Sequence, residues 1–441
     1  MIFNKKHTFE QHDNEEGSYY KSTIKPFKGS SSLDDNLKVD ICVVGGGLTG
    51  ISSSLHLAQK GYTVALLEAR KLGWGASGRN GGQLGIGMRK DQKFIEKKFG
   101  LNHAKELWKL GLEAVDESKN LILENDIKCN LQNGVLSAGI FNGDKSDFLK
   151  EIDHMSKFYN FQGYEFLNKK EIHEEIQSKI YNSGMLNKFS YHINPLRFLM
   201  GMAELLIKLK VRVYENTPVK KILEINDGVK LYTDSKTINA DRVVVACNGY
   251  LDKLLGNLRN TFMPINNYIV ATEPLGETEA RKIIKNNYAV SDTRFIIDYY
   301  RFSEDWRMIF GGGETFTSQF MKDSKKIVIN RMYKVFPSLM KYKIDYSWGG
   351  TLAITVNRMP SFGSIMNDKL IYAHGYSGHG LALSVLAGKL ISEKISGNSE
   401  RFDFIKKINN FSIPGGDYLR RPIYTSAVIY YKFLDFLKSF N

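Results

Sequence analysis

At 441 residues, 42% of them hydrophobic and 24% charged, the chain is too long for one compact core, and two or more domains are expected. No apolar run reaches the ~18 residues a membrane span needs, and the opening Met1-Ile-Phe-Asn-Lys-Lys-His lacks a secretory apolar region. The net charge of +14 comes from scattered lysines; no basic cluster interleaved with stacking aromatics marks a nucleic-acid surface. Cys42, Cys129 and Cys247 show neither disulfide nor metal-ligand spacing, which points to a reducing cytoplasm and to no metal.

Residues 1–35 read as a polar arm in which only Tyr19-Tyr20 offers an anchor. Val39, Ile41, Val43 and Val44 then form a β-branched run suited to a parallel strand buried on both faces. Gly45, Gly47 and Gly50 follow with the G-x-G-x-x-G spacing of a dinucleotide turn: one glycine for the bend, one for close approach of a pyrophosphate, one for helix–strand packing. Ile51, Leu55 and Ala58 repeat at helical spacing, so a helix N-terminus points its unpaired N–H groups at the phosphates. A second strand, Thr63 to Glu68, ends in an acid about 20 residues past the first glycine, where a carboxylate accepts ribose hydroxyls.

Lys71 to Gln83 holds five glycines, which implies unusual dihedrals or backbone pressed against a ligand. The pattern from Arg89 to Asp126 is helical, Gly134–Gly139 reads as a strand, and a charged helix is expected near 144–157. Pro195 suits the first turn of a helix. Strands are expected over 211–214, 219–225, 229–233 and 242–247, with Asn226-Asp-Gly228 as a hairpin turn. The last of these runs into Asn248-Gly249, which suits either a dinucleotide contact or an ordinary strand exit. From Phe262 to Phe310 the chain is strand-rich and aromatic. Tyr372 to Leu383 has the form strand, glycine turn, helix; its His374 and His379 lack metal-ligand spacing. An amphipathic helix near Thr425–Phe440 is expected to cover its own domain, with docking on a membrane the lesser reading.

These pieces interleave. An arm (1–35) precedes a dinucleotide domain drawn from 36–130, 190–260 and 350–441, and a substrate domain drawn from 131–189 and 261–349. The expected fold class is α/β, with the second domain an antiparallel-sheet α+β unit.

Gly45–Gly50, the block Gly73-Trp-Gly-Ala-Ser-Gly-Arg-Asn-Gly-Gly-Gln83, Ile269–Pro274, Asp298–Arg301 with Phe310-Gly-Gly312, Trp348-Gly-Gly350 and Gly375-Tyr-Ser-Gly-His-Gly380 together resemble the D-amino-acid-oxidase-like FAD oxidoreductases. The 73–83 block is similar to the γ-glutamylputrescine-oxidising branch of that family. The resemblance implies a Rossmann-like FAD-binding domain with a glutathione-reductase-like βαβ unit. It implies noncovalent FAD, with Gly45, Gly47, Leu48, Thr49 and Gly50 at the pyrophosphate and Glu68, Ala69 and Arg70 beside the ribose. Gly75, Ala76, Ser77, Gly78, Arg79, Asn80, Gly81, Gly82 and Gln83 would run past the ribityl chain and ring. Val219 would meet the adenine, Asn248 and Gly249 the pyrophosphate. Gly375, Tyr376, Ser377, Gly378, His379 and Gly380 would lie at the pyrimidine edge.

The activity so implied is oxidation of a C–N bond: hydride passes to the flavin, the imine hydrolyses, and oxygen or a quinone takes the electrons. The substrate is an amine or amino acid, of γ-glutamylputrescine type or, alternatively, sarcosine, glycine or a D-amino acid. Tyr268, Tyr299, Tyr300, Arg301, Trp348 and His379 are the expected substrate-side residues. Arg301 suits either a substrate carboxylate or an internal pair with Asp298 or Asp305; in the first role, Arg301→Ala raises KM more than it lowers FAD occupancy.

Overall fold

The computed structural model describes residues 17–315, 323–408 and 411–438, arranged on two β-sheets. The 8-stranded sheet runs in the order 361–365, 370–374, 237–245, 37–44, 64–67 and 212–214, and a hairpin of 221–225 and 228–232 branches from its third strand. Leu37–Val44 lies parallel to both 237–245 and 64–67. Its side chains alternate as expected for a strand covered on both sides: Ile41 and Val43 face one core, Cys42 and Val44 the other. The first core is closed by helices Leu48–Gln59, Leu101–Glu124, Pro195–Lys208 and Gly380–Ile395.

The 9-stranded sheet is mostly antiparallel and runs 344–355, 262–272, 308–315, 299–302, 289–292, 132–139, 183–192 and 83–84, with a ninth strand, 164–167, paired off the path to 183–192. One pair within it, 132–139 with 289–292, is parallel. The short strand Gln83–Leu84 ties the glycine-rich block to the rim of this sheet through Tyr191 and His192. That block therefore spans from the first sheet's dinucleotide turn to the second sheet.

Three local features depart from the sequence reading. The helical stretch after Arg89 is two helices, Gln92–Phe99 and Leu101–Glu124, broken at Gly100, whose φ of +84° no helix accepts. The C-terminal helix starts earlier, at Gly416, and runs to Lys438 with Pro422 inside it. The arm carries one helical turn, Tyr19–Ser22, capped by the Ser18 side chain, and both of its tyrosines are buried. No helix among the described residues is long and apolar enough to cross a membrane.

Candidate active site

A cavity of about 350 Å³ lies where the dinucleotide turn, the glycine-rich block and the 375–380 turn converge, within the usual size of a small-molecule site. Each contributing turn is built by short-range geometry. Gly45 has φ +112°, and a Cβ there would come within 2.8 Å of the Ala246 carbonyl. Gly50 lies so close beneath that a Cβ would stand 1.9 Å from the Gly45 carbonyl oxygen. Backbone at this turn can approach a ligand only because no side chain intervenes. Gly47, Leu48 and Thr49, at the start of helix Leu48–Gln59, face the cavity.

The glycine-rich block is held by its own polar groups. Ser77 Oγ accepts from the Leu48 N–H at 3.0 Å, joining the block to the helix start. Asn80 donates to the carbonyls of Ala76 and Ser77, and its own oxygen accepts from the Gly82 N–H. Arg79 donates to the carbonyls of Trp74 and Gly349. Gln83 reaches the Val290 carbonyl in the second sheet. Ala76, Ser77, Arg79, Asn80, Gly81 and Gln83 line the cavity.

The third turn carries Gly375, Ser377 and Gly378 at positive φ. Asn248 accepts from the Gly375 N–H at 3.0 Å, and Ser377 Oγ accepts from the Thr355 N–H at 3.2 Å. Tyr376 and Thr49 share a hydrogen bond of 2.7 Å, which ties this turn to the first. Helix Gly380–Ile395 then starts at the cavity, so its partial positive end faces inward. His379 Nε2 lies 3.1 Å from the Ile86 carbonyl, and burial, aided by Arg89, pulls its pKa down to about 4. It is a neutral imidazole donating to that carbonyl.

Other expected residues stand off the cavity wall. Glu68 accepts from the N–H groups of Gly46 and Arg70 at 2.6 and 2.8 Å; each oxygen keeps a further lone pair for a hydroxyl. Val219 is half-buried and packs against the core on the second face of the first sheet. Gly75, Gly78, Gly82 and Gly249 shape the turns from behind; a Cβ at Gly82 would meet the Ile193 carbonyl at 2.2 Å. Ala69 and Arg70 follow the Glu68 strand without reaching the cavity wall.

Four of the six expected substrate-side residues are fully buried and do not line the cavity: Tyr268, Tyr300, Arg301 and Trp348. Tyr300 stacks on Phe310 with ring centroids 5.5 Å apart and donates to the Tyr181 hydroxyl. Tyr268 shares a hydrogen bond with Thr315 at 2.8 Å. Trp348 donates from its indole to the Arg79 carbonyl at 3.0 Å. Arg301 donates to the carbonyls of Gly81 and Phe302 and to the Tyr20 hydroxyl. Neither carboxylate proposed as its partner is available. Asp298 pairs with Arg294 and Arg331, and Asp305 with Arg307. Arg301 and Trp348 are therefore supports of the glycine-rich block. Of the expected six, Tyr299 and His379 do line the cavity, Tyr299 donating to Asn267.

The cavity also exposes residues that the sequence reading did not single out: Arg89, Phe295, Ile297, Glu314, Leu352 and Arg358. One sequence signal pointed toward Glu314, which follows Gly311-Gly-Gly313. A Cβ at Gly311 would lie 2.1 Å from the Tyr299 ring, so this strand too is thinned for close packing beside the cavity. Burial raises the Glu314 pKa, opposed by Arg358 and Arg89. No group of described side chains is arranged to hold a metal. The three free thiols are off the cavity wall.

The geometry fits the expected FAD, since three close backbone turns and a helix start line one cavity. Residues 40–394 match the DAO family, described as FAD dependent oxidoreductase. Gamma-glutamylputrescine oxidoreductase of Escherichia coli (strain K12) is 35% identical over 95% of this chain and 98% of its own length. Probable oxidoreductase OrdL of Haemophilus influenzae is 34% identical over 90% of this chain and 92% of its own. Among solved structures, L-proline dehydrogenase from P. horikoshii has a TM-score of 0.69 at 21% identity, covering 84% of this chain and 96% of its own. Glycine oxidase from Bacillus cereus has a TM-score of 0.68 at 20% identity over 83% and 97%. These last two establish the α/β fold with its two sheets.

Proposed function

The chain belongs to the DAO family of FAD-dependent oxidoreductases, and from that premise we propose that it oxidises the carbon–nitrogen bond of a γ-glutamylputrescine-type amine. The observation that carries this reading is the similarity to the E. coli enzyme over nearly the full length of both chains. Bound FAD supplies the acceptor for the hydride that leaves the carbon beside the amine nitrogen. The chain's own part is to hold and dry the reactants. The turns at 45–50, 76–83 and 375–380 would hold the cofactor, and the N-terminus of helix Gly380–Ile395 would support negative charge beside it.

Phe295, Ile297, Leu352 and Ile354 put apolar side chains on the cavity lining, which disfavour water beside them. Exclusion of water favours the neutral amine that hydride loss requires. His379, neutral with its pKa near 4, adds no positive charge against the iminium-like cation that develops as hydride leaves. Oxygen or a quinone would serve as the final electron acceptor. The cofactor would be held noncovalently: all three thiols lie off the cavity wall, and burial raises the pKa of each. Unpaired cysteines support a reading in which the reaction runs in a reducing compartment, the cytoplasm.

A second reading, a sarcosine-, glycine- or D-amino-acid-type enzyme, is favoured by the 24% identity to glycine oxidase of Bacillus licheniformis. Anaerobic stopped-flow reduction of the bound flavin separates the two. The expected result is faster bleaching by γ-glutamylputrescine than by putrescine, sarcosine, glycine or D-alanine. Preference for a small amino acid moves the assignment to the second reading, and no bleaching by any of them defeats both.

A further inference from the structure

Three charged side chains of the cavity have no part in the chemistry above: Arg89, Glu314 and Arg358. Arg89 donates Nε to the Ser377 carbonyl at 3.1 Å. That leaves its two terminal nitrogens without a partner among the described residues. Arg358 lies over the Phe295 ring at 4.5 Å. Glu314 closes the strand Met308–Thr315, and among the described residues its carboxylate has neither a hydrogen bond nor an ion pair. Buried charges in folded proteins are ordinarily paired. A lone carboxylate and an under-used guanidinium facing one cavity therefore mark a binding site for a ligand of both charges.

The reacting nitrogen is a poor candidate for the Glu314 contact. A carboxylate stabilises an ammonium, and an ammonium cannot lose hydride from its neighbouring carbon. The nitrogen that suits Glu314 is one that stays protonated and does not react. An α-amino acid group presents such an ammonium and a carboxylate on a single carbon, which matches a carboxylate and guanidiniums that line one cavity and sense one another electrostatically.

We propose that Glu314 binds the α-ammonium, and Arg89 with Arg358 the α-carboxylate, of an amino-acid head group at the end of the substrate remote from the reacting nitrogen. This rests on the amine-oxidation reading and extends it: the enzyme selects amines that carry a free amino-acid head. Simple diamines, which lack the head, are then poor substrates. Amino acids whose own α-nitrogen would have to react are poor substrates too.

The test compares γ-glutamylputrescine with glutarylputrescine, which keeps the chain and carboxylate but lacks the α-ammonium. The expected wild-type KM is about tenfold or more higher for glutarylputrescine, the usual worth of a charge-assisted hydrogen bond. In Glu314→Gln that gap closes to less than about twofold, while kcat moves far less than KM. No gap in the wild type, or a gap that survives in Glu314→Gln, overturns the proposal. Should Glu314→Gln lose its flavin, Arg89→Gln is tested against 4-aminobutanoylputrescine, which has the ammonium but no carboxylate. The same closing of the gap is expected there, and a persisting gap overturns the assignment. If no amine bleaches the wild-type flavin, the oxidation reading fails separately. The subsite is then judged by titrating the same pair of compounds against the flavin's visible spectrum, with the same gap expected and equal affinities overturning it.

Discussion

Arg301 donates to two carbonyls and a hydroxyl, and one of those carbonyls, that of Gly81, belongs to the loop lining the cavity. Its removal strands buried acceptors, at a cost of about 1–3 kcal/mol each. Arg301→Ala is therefore expected to lower FAD occupancy of the purified protein, read from its visible absorbance, more than it raises the KM of any occupied fraction. That reverses the expectation drawn from the residue type alone. The reason it was illegible is distance: its partners Gly81 and Tyr20 lie 220 and 281 positions away in the chain. Gly50 was legible because its constraint is local. Gly50→Ala sets a methyl 1.9 Å from the Gly45 carbonyl, so the turn must open, and a colourless but folded protein is the expected product. Retention of full flavin colour would show that the turn can shift without loss.

Helices Leu48–Gln59, Leu101–Glu124 and Gly380–Ile395 are joined by one carboxylate. Glu117 accepts from His56 at 3.2 Å and from Lys389 at 2.6 Å. The His56 hydrogen bond, followed by Lys389, pulls its pKa down from 4.5 to about 2 against the effect of burial. A lowered carboxylate pKa stabilises the fold above 4.5, and the contribution fades as pH falls toward 2. Glu117→Gln should cost about 1.5–3 kcal/mol at neutral pH, the scale of a charged hydrogen bond. A thermal scan of the holoprotein checks this, with the difference from wild type shrinking in acid. The existence of these helices follows from apolar spacing in the sequence, but their joining does not. Gly388 is an example: a Cβ there would lie 2.4 Å from the Ser53 nitrogen, a contact between elements that no local pattern announces.

Across the whole molecule, acid should act through buried histidines near the cofactor turn. Burial lowers the pKa of His374 and His379 from 6.5 to about 4. Over that window the unfolded chain binds more protons than the folded one, so stability rises with pH and is lost as pH falls from 6.5 toward 4. The slope is about 1.4 kcal/mol per pH unit for each histidine. His374→Gln should flatten it, as measured by unfolding at several acid pH values; an unchanged slope would locate the acid sensitivity elsewhere. The two-sheet plan was legible from the order of strand and helix patterns. The wall of the cavity was not, because Arg89, Glu314 and Arg358 come from three distant segments that meet only after both sheets form.

The first sheet has a consequence for biogenesis. Its central strand, Leu37–Val44, is made early in translation, but Leu370–His374 and the turn after it emerge more than three hundred residues later. A ribosome stalled near residue 350 would display the dinucleotide fingerprint without the partner turn that completes the cradle. Flavin capture must therefore await emergence of the turn at 375–380, and nascent chains halted short of that point should emerge unpigmented.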